Sequence, residues 1–505
     1  MTSPRPDGMP LSQLLAGFST DQEIASIPIT DINSNSHAVT PGSAFIALPG
    51  IRSNGIDYAI DAVKAGAVAV IYDAADEYSQ QRIPLLRKQV DTCWVGIDQL
   101  DRANGHIVSR FFGNPAQAMT IVGVTGTDGK SSVTHLITQA LTRLGRSCAS
   151  VGTLGYGIAN QLTPDNLTTP DVVTLQSRLH HFLQQRCEFV VMEVSSHALE
   201  QYRVNGCDFD IAVLTNLGRD HLDYHGDQEN YAAAKARLFH DFDLSARVVN
   251  ADDSFGRRIS ESVTQDGLLR YSVRNEAGVE VEVSLLDTAI SASGQNIRAL
   301  TPLGEITAVT ALLGRFNVEN TLACIATLIA LGLDHDQLEL AVKDLTPIPG
   351  RMEKFVGGTE RAAAVVDFAH TEQALRACLG AAREHCSGKL WCVFGCGGDR
   401  DQGKRPGMGR AVEELADRVI ITDDNPRNEA AQSIVADILA GMERADDACV
   451  VHNRQAAIEY ALSQAAAGDL VVIAGKGHEQ EQIIGNTRRP FSDRHLVERI
   501  LQVGA

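Results

Sequence analysis

The stretch IVGVTGTDGKSS (residues 121–132) contains the signals for a strand, a turn and the start of a helix. Apolar, β-branched residues at 119–124 predict a buried strand, and helical periodicity begins in VTHLI (133–137). The glycines allow a tight turn whose backbone N–H groups can face an anion, and the helix N-terminus adds positive partial charge. Lys130 can reach a terminal phosphate, and the Ser131 hydroxyl suits Mg²⁺. The stretch therefore predicts a triphosphate-binding loop; the alternative is a glycine-rich turn without chemical consequence.

Two features of this loop depart from the common pattern. Val124 stands where the first glycine of G-x-x-x-x-G-K-[ST] would be, so that the frame is G-x-x-G-x-x-G-K-S. Asp128 also places a carboxylate inside a loop that would hold negative charge. We expect this carboxylate to weaken nucleotide binding.

The bulk composition limits the classes of protein that need considering. A chain of 505 residues is longer than a single core supports, which predicts two to four domains. A net charge of −19 excludes a broad basic surface for nucleic acid. Apolar runs of about 18 residues are absent, as is a signal-peptide pattern, so we expect no membrane span. The ten scattered cysteines favour reduced thiols in a cytoplasmic protein.

Alternating strand and helix patterns predict an α/β protein of three domains. Residues 1–115 form a small α/β domain, residues 116–349 a central domain with a largely parallel sheet, and residues 350–505 a second doubly wound domain. The apolar helix at 321–331 follows Asn317 and Asn320, and these two residues can cap it.

Polar residues follow several of the predicted strands. Glu193 ends the apolar strand FVVME (189–193), where ligands bind in open α/β sheets, so it is a candidate Mg²⁺ ligand; an ion-paired structural glutamate is the alternative. TNLGRDHLDYH (215–225) follows another strand and indicates either a metal and phosphate rim or a polar loop. Lys235 lies on an Ala-rich helix and, from this pattern alone, is a surface lysine.

Four polar loops follow the strands of the C-terminal domain. They are DFAH (367–370), GCGGDRD (395–401), DDNPR (423–427) and GKGHE (475–479). Because ligands bind at the carboxyl ends of parallel strands, we expect all four loops at one functional edge of the sheet.

Taken together, these motifs make the chain similar to the Mur ligases, an ATP-dependent, amide-forming family of peptidoglycan synthesis. The resemblance covers nearly the whole chain. It is carried by GTDGKSS, LTTPD, MEVSSHALEQYRV, TNLGRDHLDYHGD, YAAAKARLF, GRFNVEN, PGRMEKF, DFAHT, FGCGGDRDQGKRP, DNPRNE and AGKGHEQ. Within the family, it most resembles the type that adds meso-2,6-diaminopimelate to UDP-N-acetylmuramoyl-L-alanyl-D-glutamate.

The resemblance implies a function for each domain: the N-terminal domain holds the UDP end, the central domain binds ATP and the Rossmann-like C-terminal domain binds the incoming amino acid. In the implied reaction a substrate carboxylate attacks the γ-phosphate of ATP. The amine then attacks the resulting acyl phosphate, and phosphate leaves. This chemistry requires positioning and charge neutralisation. It also implies a cytoplasmic enzyme, expected to be a monomer, that serves cell-wall biogenesis and thereby cell shape and division.

The resemblance also implies site residues. The implied catalytic residues are Lys130, Glu193, His221 and Lys235. The implied Mg²⁺ ligands are Ser131, Glu193, His221 and a carbamoylated Lys235, which reverses the surface interpretation of that lysine. ATP would be held by Gly126, Thr127, Asp128, Gly129, Lys130, Ser131, Ser132, Asn317, Arg351 and Asp367. The UDP substrate would be held by Ser36, Thr168, Thr169, Ser195, Gln201 and Arg203. Diaminopimelate would be held by Arg400, Asp424, Asn425, Pro426, Arg427, Gly475 and Glu479.

Arg427 carries the expected specificity, since an arginine can hold the distal carboxylate of diaminopimelate in a bidentate fork. Lysine lacks that carboxylate. Asn35-Ser36-His37 stands where the family has Asp-Ser-Arg, so that only Ser36 keeps its implied uridine contact. The alternatives are a lysine-adding or other Mur-type ligase, a folylpolyglutamate synthetase, and a nucleotide-binding scaffold weakened by Asp128.

Overall fold

A computed structural model describes residues 7–19, 26–50, 53–159, 161–165, 167–291, 294–358 and 360–502. Contacts divide the chain into two compact units. The first holds residues 1–270 with 326–332, and the second holds 271–325 with 333–505. The expected three-domain α/β fold is confirmed. The first unit holds the N-terminal domain and most of the predicted central domain, whereas residues 271–325 and 333–349 of that domain fall in the second unit. The exact boundaries at 115 and 349 stay a prediction.

The N-terminal domain is built on a four-stranded parallel sheet in the order β3-β4-β5-β6, beside a short β1-β2 pair. Its strands are β1 (Met9–Pro10), β2 (Pro28–Ile29), β3 (Asp31–Asn33), β4 (Ser43–Ala47), β5 (Ala69–Asp73) and β6 (Cys93–Ile97). Its helices are α1 (Leu11–Leu14), α2 (Ala59–Lys64), α3 (Glu77–Leu86) and α4 (Leu100–Phe111). Short 3₁₀ helices occupy Ser36–Ala38, Gly55–Tyr58 and Pro115–Ala118.

The central domain adds a larger sheet with the order β10-β9-β8-β11-β7-β12-β13-β14. Its strands are β7 (Thr120–Thr125), β8 (Cys148–Gly152), β9 (Gly155–Ile158), β10 (Gln161–Thr163), β11 (Phe189–Glu193), β12 (Ile211–Leu214), β13 (Ala246–Asn250) and β14 (Leu268–Ser272). Its helices are α5 (Lys130–Arg143), α6 (Val172–Gln184), α7 (Ser196–Glu200), α8 (Leu222–His225), α9 (Gln228–His240) and α10 (Ser254–Ser262). Strand β7 is buried from residue 121 to residue 125 and lies between β11 and β12, parallel to both, so the ends of these three strands adjoin.

The second unit begins with the antiparallel strands β15 (Val283–Ser291), β16 (Gly294–Thr301) and β17 (Gly304–Thr310). They are followed by α11 (Phe316–Ala330), whose last residues belong to the first unit, and α12 (His335–Val342). The expected helix at 321–331 thus begins earlier, at Phe316. Asn317 and Asn320 are not caps, because they lie inside the helix; the Asn317 amide donates to Leu313 O at 2.8 Å, and its own oxygen accepts from Asn320 at 2.9 Å.

The C-terminal domain is a six-stranded sheet in the order β18-β19-β23-β20-β21-β22, parallel except for β18. Its strands are β18 (Glu353–Phe355), β19 (Ala363–Asp367), β20 (Leu390–Phe394), β21 (Arg418–Ile421), β22 (Cys449–Val450) and β23 (Leu470–Ala474), and a separate hairpin joins β24 (Glu481–Ile484) to β25 (Thr487–Pro490). Its helices are α13 (Glu372–Glu384), α14 (Arg405–Leu415), α15 (Ala431–Leu439), α16 (Arg454–Gln464) and α17 (Asp493–Leu501), with a 3₁₀ helix at Ala445–Asp447.

The cysteines and helices match the bulk expectations. All ten cysteines are free, and seven of them are buried. Among the described residues, the helices are all too short or too polar to cross a bilayer.

A buried histidine joins the end of α13 to two backbone segments of the second unit. His385 Nε2 lies 3.1 Å from the Gly314 N–H, and its Nδ1 lies 2.8 Å from Ser291 O. Because an N–H can only donate, Nε2 must accept and Nδ1 must carry the proton, which fixes the neutral imidazole. Burial also lowers the pKa of His385; Lys354 assists this shift, while the hydrogen bond to Ser291 O and the nearby Glu384 oppose it.

This histidine predicts a loss of stability in mild acid. Below the ordinary histidine pKa of 6.5 the unfolded chain binds a proton that folded His385 rejects, so the free energy of unfolding falls as the pH falls. Wild type should therefore lose more thermal stability than His385→Gln between about pH 7.5 and about pH 5.5. The exposed His495 supplies the control, and His495→Gln should follow the wild-type profile. Identical profiles for wild type and His385→Gln would contradict this account.

Candidate active site

The predicted phosphate loop lies between β7 and α5, as the sequence indicates. Gly126 and Gly129 have φ of 150° and 82°, and α5 begins at Lys130. Gly126 also packs closely, because a Cβ there would lie 1.9 Å from Thr215 Oγ1. Ser131 and Ser132 follow in the first turn of the helix, where the backbone N–H groups have no intrahelical partner. The turn can therefore bind an anion.

Two lysines meet at one carbonyl oxygen of this loop. Lys130 Nζ and Lys235 Nζ each donate to Gly126 O at 2.8 Å. Lys235 is 1% exposed and lies over the Tyr231 ring. Burial, and then the nearby Lys130, holds the pKa of Lys235 well below its usual value, and burial also lowers the pKa of Lys130. The surface interpretation of Lys235 is wrong, because α9 turns this residue inward.

Neighbouring strand ends hold the rest of the loop. The Asp128 N–H donates to Asn216 Oδ1 at 3.0 Å, and its carbonyl accepts from the Thr215 hydroxyl at 2.6 Å. Thr127 Oγ1 accepts from the Gly218 N–H at 2.8 Å and lies 3.0 Å from the Tyr231 hydroxyl. The Asp128 carboxylate itself is exposed and has no hydrogen-bond partner among the described side chains and backbone groups. The loop is thus held through its backbone, and Asp128 adds an exposed negative charge.

Glu193 ends β11 beside this loop and is 2% exposed. Its Oε1 accepts from the Thr153 N–H at 2.8 Å, and its Oε2 accepts from the Thr153 hydroxyl at 3.1 Å. Gly152 permits this approach, since a Cβ there would lie 2.2 Å from Glu193 Oε1. In place of an ion pair, backbone and hydroxyl groups hold the carboxylate. Among the residues that the structure describes, no ion pair supports the structural alternative for Glu193.

Of the four implied metal ligands, Lys235 lies at Gly126 O, and the other three fall into two groups. Ser131 and Glu193 line one cavity of about 30 Å³, together with Thr134, whose buried hydroxyl has no hydrogen-bond partner in the described structure. His221 lies instead beside His197 and Asp220, with ring centroids 4.8 Å apart in the first pair. No group of three or more His, Cys, Asp and Glu side chains within the described ranges could hold a metal unaided. The oxygen donors of Ser131 and Glu193 nevertheless fit Mg²⁺, which prefers hard ligands and retains waters.

Five of the six residues implied for the UDP substrate form one connected group. The Thr169 hydroxyl donates to Glu193 O at 2.9 Å and accepts from the Ser195 N–H at 3.0 Å. Arg203 donates to Thr169 O at 3.2 Å and to Gln201 Oε1 at 2.8 Å. Thr168 joins through its hydroxyl, which is 3.0 Å from that of Thr153. Ser36 is buried in the N-terminal domain, and no described hydrogen bond links it to the other five.

In the second unit, Asp367 ends β19 and is 8% exposed. Its carboxylate accepts from the N–H groups of Met352 and Ala369, both at 2.8 Å. Burial raises the pKa of Asp367, although these bonds and the nearby Arg351 oppose the rise. Arg351 lies 4.9 Å from the centre of the Phe368 ring. Asn317 is buried on α11, and no described contact joins it to Asp367 or Arg351.

The four polar loops of the C-terminal domain do follow adjacent parallel strands at one edge of its sheet. Arg427 adopts φ of 53°, and its Nη1 donates to Gly398 O at 2.8 Å. Gly397 lies between the two implied arginines: a Cβ there would be 3.0 Å from Arg427 Nη1 and 3.8 Å from Arg400 Cγ. Pro426 is buried beside Gly398, whose added Cβ would meet Pro426 O at 1.9 Å.

A buried lysine that the sequence patterns did not single out lies in this edge. Lys476 is fully buried, and its ammonium donates to Glu479 Oε2 at 2.7 Å and to Asn425 Oδ1 at 3.1 Å. Asn425 also donates to Glu479 Oε2 at 3.0 Å. Burial alone would raise the pKa of Glu479, but Lys476 holds it below its usual value. Glu479 thus stays ionised, and no described group bonds to its Oε1. The only sequence signal for Lys476 was its position between two glycines.

Asp424 and Gly475 meet at the same edge. A Cβ on Gly475, whose φ is 119°, would lie 2.6 Å from Asp424 Oδ2 and 3.9 Å from Arg454 Nη2. Arg454 forms a fully buried ion pair with Asp493 at 2.7 Å, and this pair stabilises the edge from the interior of the domain. The sequence did not predict this ion pair, because Arg454 and Asp493 lie 39 residues apart in the chain.

Three family models match the chain. They are described as "Mur ligase family, catalytic domain" at residues 28–111, "Mur ligase middle domain" at 124–328 and "Mur ligase, glutamate ligase domain" at 350–477. Among curated relatives, the UDP-N-acetylmuramoyl-L-alanyl-D-glutamate–2,6-diaminopimelate ligase of Pseudomonas putida is 43% identical and covers 98% of both chains. The protein of the same name from Coxiella burnetii is 42% identical over 98% of this chain and 100% of its own.

Solved structures agree on the fold. A structure of a UDP-N-acetylmuramoyl-L-alanyl-D-glutamate–2,6-diaminopimelate ligase superimposes with a TM-score of 0.75 and 35% identity, covering 97% of this chain and 98% of that one. A MurF structure from Acinetobacter baumannii (TM-score 0.62, 16% identity, 92% and 95% covered) and a folylpolyglutamate synthase from Mycobacterium tuberculosis (0.57, 19%, 79% and 96%) share the fold alone. The implied family is confirmed by relatives of this identity and coverage. The chain belongs to the Mur ligase family.

Proposed function

We propose that this chain is an ATP-dependent ligase that adds meso-2,6-diaminopimelate to UDP-N-acetylmuramoyl-L-alanyl-D-glutamate. The observation that carries the proposal is the name shared by relatives that are 41–44% identical over at least 92% of the chain. These relatives do not favour the lysine-adding, folylpolyglutamate or scaffold alternatives. The two lysines at the phosphate loop and the arginine-bearing edge of the C-terminal sheet support it chemically.

The first step would be activation of the dipeptide carboxylate by ATP. In our proposal Lys130 leaves its loop carbonyls to donate to the β- and γ-phosphates, while loop N–H groups hold the remaining oxygens. Ser131 and Glu193 would hold Mg²⁺, which neutralises phosphate charge when bound. Asn317, Arg351 and Asp367 would hold the rest of the nucleotide. Thr168, Thr169, Ser195, Gln201 and Arg203 would place the dipeptide beside the phosphate loop, and Ser36 would contact the UDP end.

Lys235 and His221 would complete the charged surroundings of the transferring phosphoryl group. The lowered pKa of Lys235 leaves a neutral amine available, and a neutral amine is the form that combines with CO₂ to give a carbamate. The amine nitrogen bonds to the carbon of CO₂ and one proton is released to solvent, which leaves an anion that would attract Lys130, whereas an ammonium would repel it. A carbamate on Lys235 would also supply oxygen ligands of the kind that Mg²⁺ prefers.

In the second step, the amine of diaminopimelate would have to lie next to the acyl phosphate that it attacks. Arg400 and Arg427 would bind its distal carboxylate, and the ionised Glu479 would bind its distal ammonium group. Asp424, Asn425, Pro426 and Gly475 would shape the pocket around them. Lysine would leave the arginine guanidinium groups without a counter-charge, which is the physical basis for its rejection.

The proposal predicts a specific dependence on the amino acid. Purified protein with ATP, Mg²⁺ and the UDP-dipeptide should release phosphate with meso-diaminopimelate and far more slowly with L-lysine. Arg427→Ala should lower kcat/KM for diaminopimelate by at least about 100-fold, with little change in the KM for ATP. Equal rates with both amino acids would refute the selectivity, and activity with neither would favour a scaffold. An unchanged diaminopimelate KM in Arg427→Ala would refute the role of that residue.

Gly152→Ala tests the placement of the Glu193 carboxylate. The added Cβ overlaps only the end of the Glu193 side chain, so the carboxylate must move while the fold persists. A shift of about 1 Å in such a group can lower kcat on the order of 100-fold. Gly380→Ala on α13 is the matched control, because its Cβ meets nothing within 4 Å. Wild-type kcat and Mg²⁺ dependence in Gly152→Ala would argue against Glu193 as a ligand.

Asp128→Asn tests the unusual carboxylate of the phosphate loop. Removing an exposed negative charge beside the triphosphate should lower the KM for ATP about 2- to 5-fold. Glu229→Gln, which removes a charge that is 77% exposed elsewhere in the same unit, should leave this KM unchanged. If Asp128→Asn has the wild-type KM, the carboxylate points away from the phosphates.

A further inference from the structure

The arginines proposed to select diaminopimelate are carried by two irregular loops. Arg400 lies in the loop between β20 and α14, and Arg427 lies in the loop between β21 and α15. Asp399 and Arg427 have φ of 54° and 53°, a region that is sterically unfavourable for a residue with a side chain. Such backbone conformations persist only where surrounding contacts hold them. The separation of the two arginines therefore depends on what joins the loops.

Several contacts join the loops, among them the Asp399 carboxylate, which accepts from the Asn428 N–H at 3.2 Å and from its amide at 2.9 Å. The Glu429 carboxylate adds a connection that is itself held by a buried arginine. Glu429, two residues after Arg427, accepts from the Asp399 N–H at 3.2 Å and from Gln402 Nε2 at 3.3 Å. Both donors belong to the other loop, and Asp399 directly precedes Arg400. The Glu429 carboxylate thus spans the gap between the two arginine-bearing segments.

Arg405 fixes the carboxylate itself. This arginine is fully buried at the start of α14, and its Nη1 and Nη2 donate to the two oxygens of Glu429 at 2.6 and 2.7 Å. A fork of this kind fixes the orientation of a carboxylate as well as its distance. Nη1 also donates to Asp437 on α15 at 2.8 Å, which anchors the arginine to a second helix. Hydrogen bonding to Arg405 keeps the pKa of Glu429 below its usual value.

We propose that Glu429, oriented by Arg405, is a positioning residue that sets the spacing of Arg400 and Arg427 and thereby the preference for an amino acid with a second carboxylate. This inference rests on the proposed function. Glu429 does not touch the substrate; it acts on the two loops that do. Arg427 Nη1, bonded to Gly398 O of the opposite loop, would report any change in their spacing.

Glu429→Gln tests the inference by keeping the shape of the side chain and removing its charge. The amide NH₂ would face an Arg405 donor, so the fork breaks and the spacing of the two loops changes, while the Asp399–Asn428 and Arg427–Gly398 bonds still hold them together. The KM for diaminopimelate should rise on the order of 10- to 100-fold, while the KM for ATP and for the UDP-dipeptide stay within about 2-fold. Discrimination against L-lysine should fall in parallel. Glu429→Asp, which retains the charge, should recover part of the loss.

The control is the exposed ion pair between Glu414 on α14 and Arg376 on α13 of the same domain. Glu414→Gln removes the partner of Arg376, which lies 2.5 Å away at an exposed position, and should leave all three KM values unchanged. If Glu429→Gln does not fold, Arg405→Lys, which keeps the charge but not the fork, should show the same selective rise. A wild-type diaminopimelate KM in the folded variant, or an equal rise in all three KM values, overturns the inference. Failure of wild type and Glu414→Gln to use diaminopimelate would instead refute the proposed function.

Discussion

Two ammonium groups share the carbonyl oxygen of Gly126, and the chemistry proposed for this chain depends on that arrangement. Two like charges this close repel by a few kcal/mol at an effective dielectric constant of about 20. A protein retains such a pair only if it gains from placing an anion there, or if one group gives up its proton. The lowered pKa of Lys235 supplies the second solution, and a bound triphosphate or a carbamate would supply the first. The two lysines thus give this loop a local positive charge that would favour a bound anion, with Asp128, Asp220 and Glu193 as nearby counter-charges.

The C-terminal domain differs from the phosphate loop in that its buried cations already have anionic partners. Arg454 faces Asp493, Arg405 faces Glu429, and Lys476 faces Glu479. Removing one partner of such a pair is costly, since the other is left as an uncompensated buried charge. These pairs therefore suit fixed geometry rather than anion capture, in keeping with an edge that must recognise the shape of an amino acid.

The sequence predicted the strand–loop–helix order around residue 126 and the shared edge of the C-terminal loops, because both follow from local periodicity and from how parallel strands align. It failed where tertiary contacts decide the role of a residue. Asn317 and Asn320 carry the pattern of helix caps but lie inside α11. Lys235 has a surface pattern, yet α9 packs that face against the phosphate loop. Lys476 and Glu429 lay inside recognised motifs, but their partners are side chains that sequence spacing does not reveal.

Because Glu429 lies in the loop of Arg427 and bonds to the loop of Arg400, the selectivity proposed for this edge would be a collective property of both loops. On that proposal, a change that moves the Arg427 loop would also displace the segment around Arg400. To engineer a ligase for a different amino acid, both loops and the Arg405–Glu429 pair would have to be replaced together. Libraries that randomise single positions of the edge would mostly yield variants in which the same pocket is distorted.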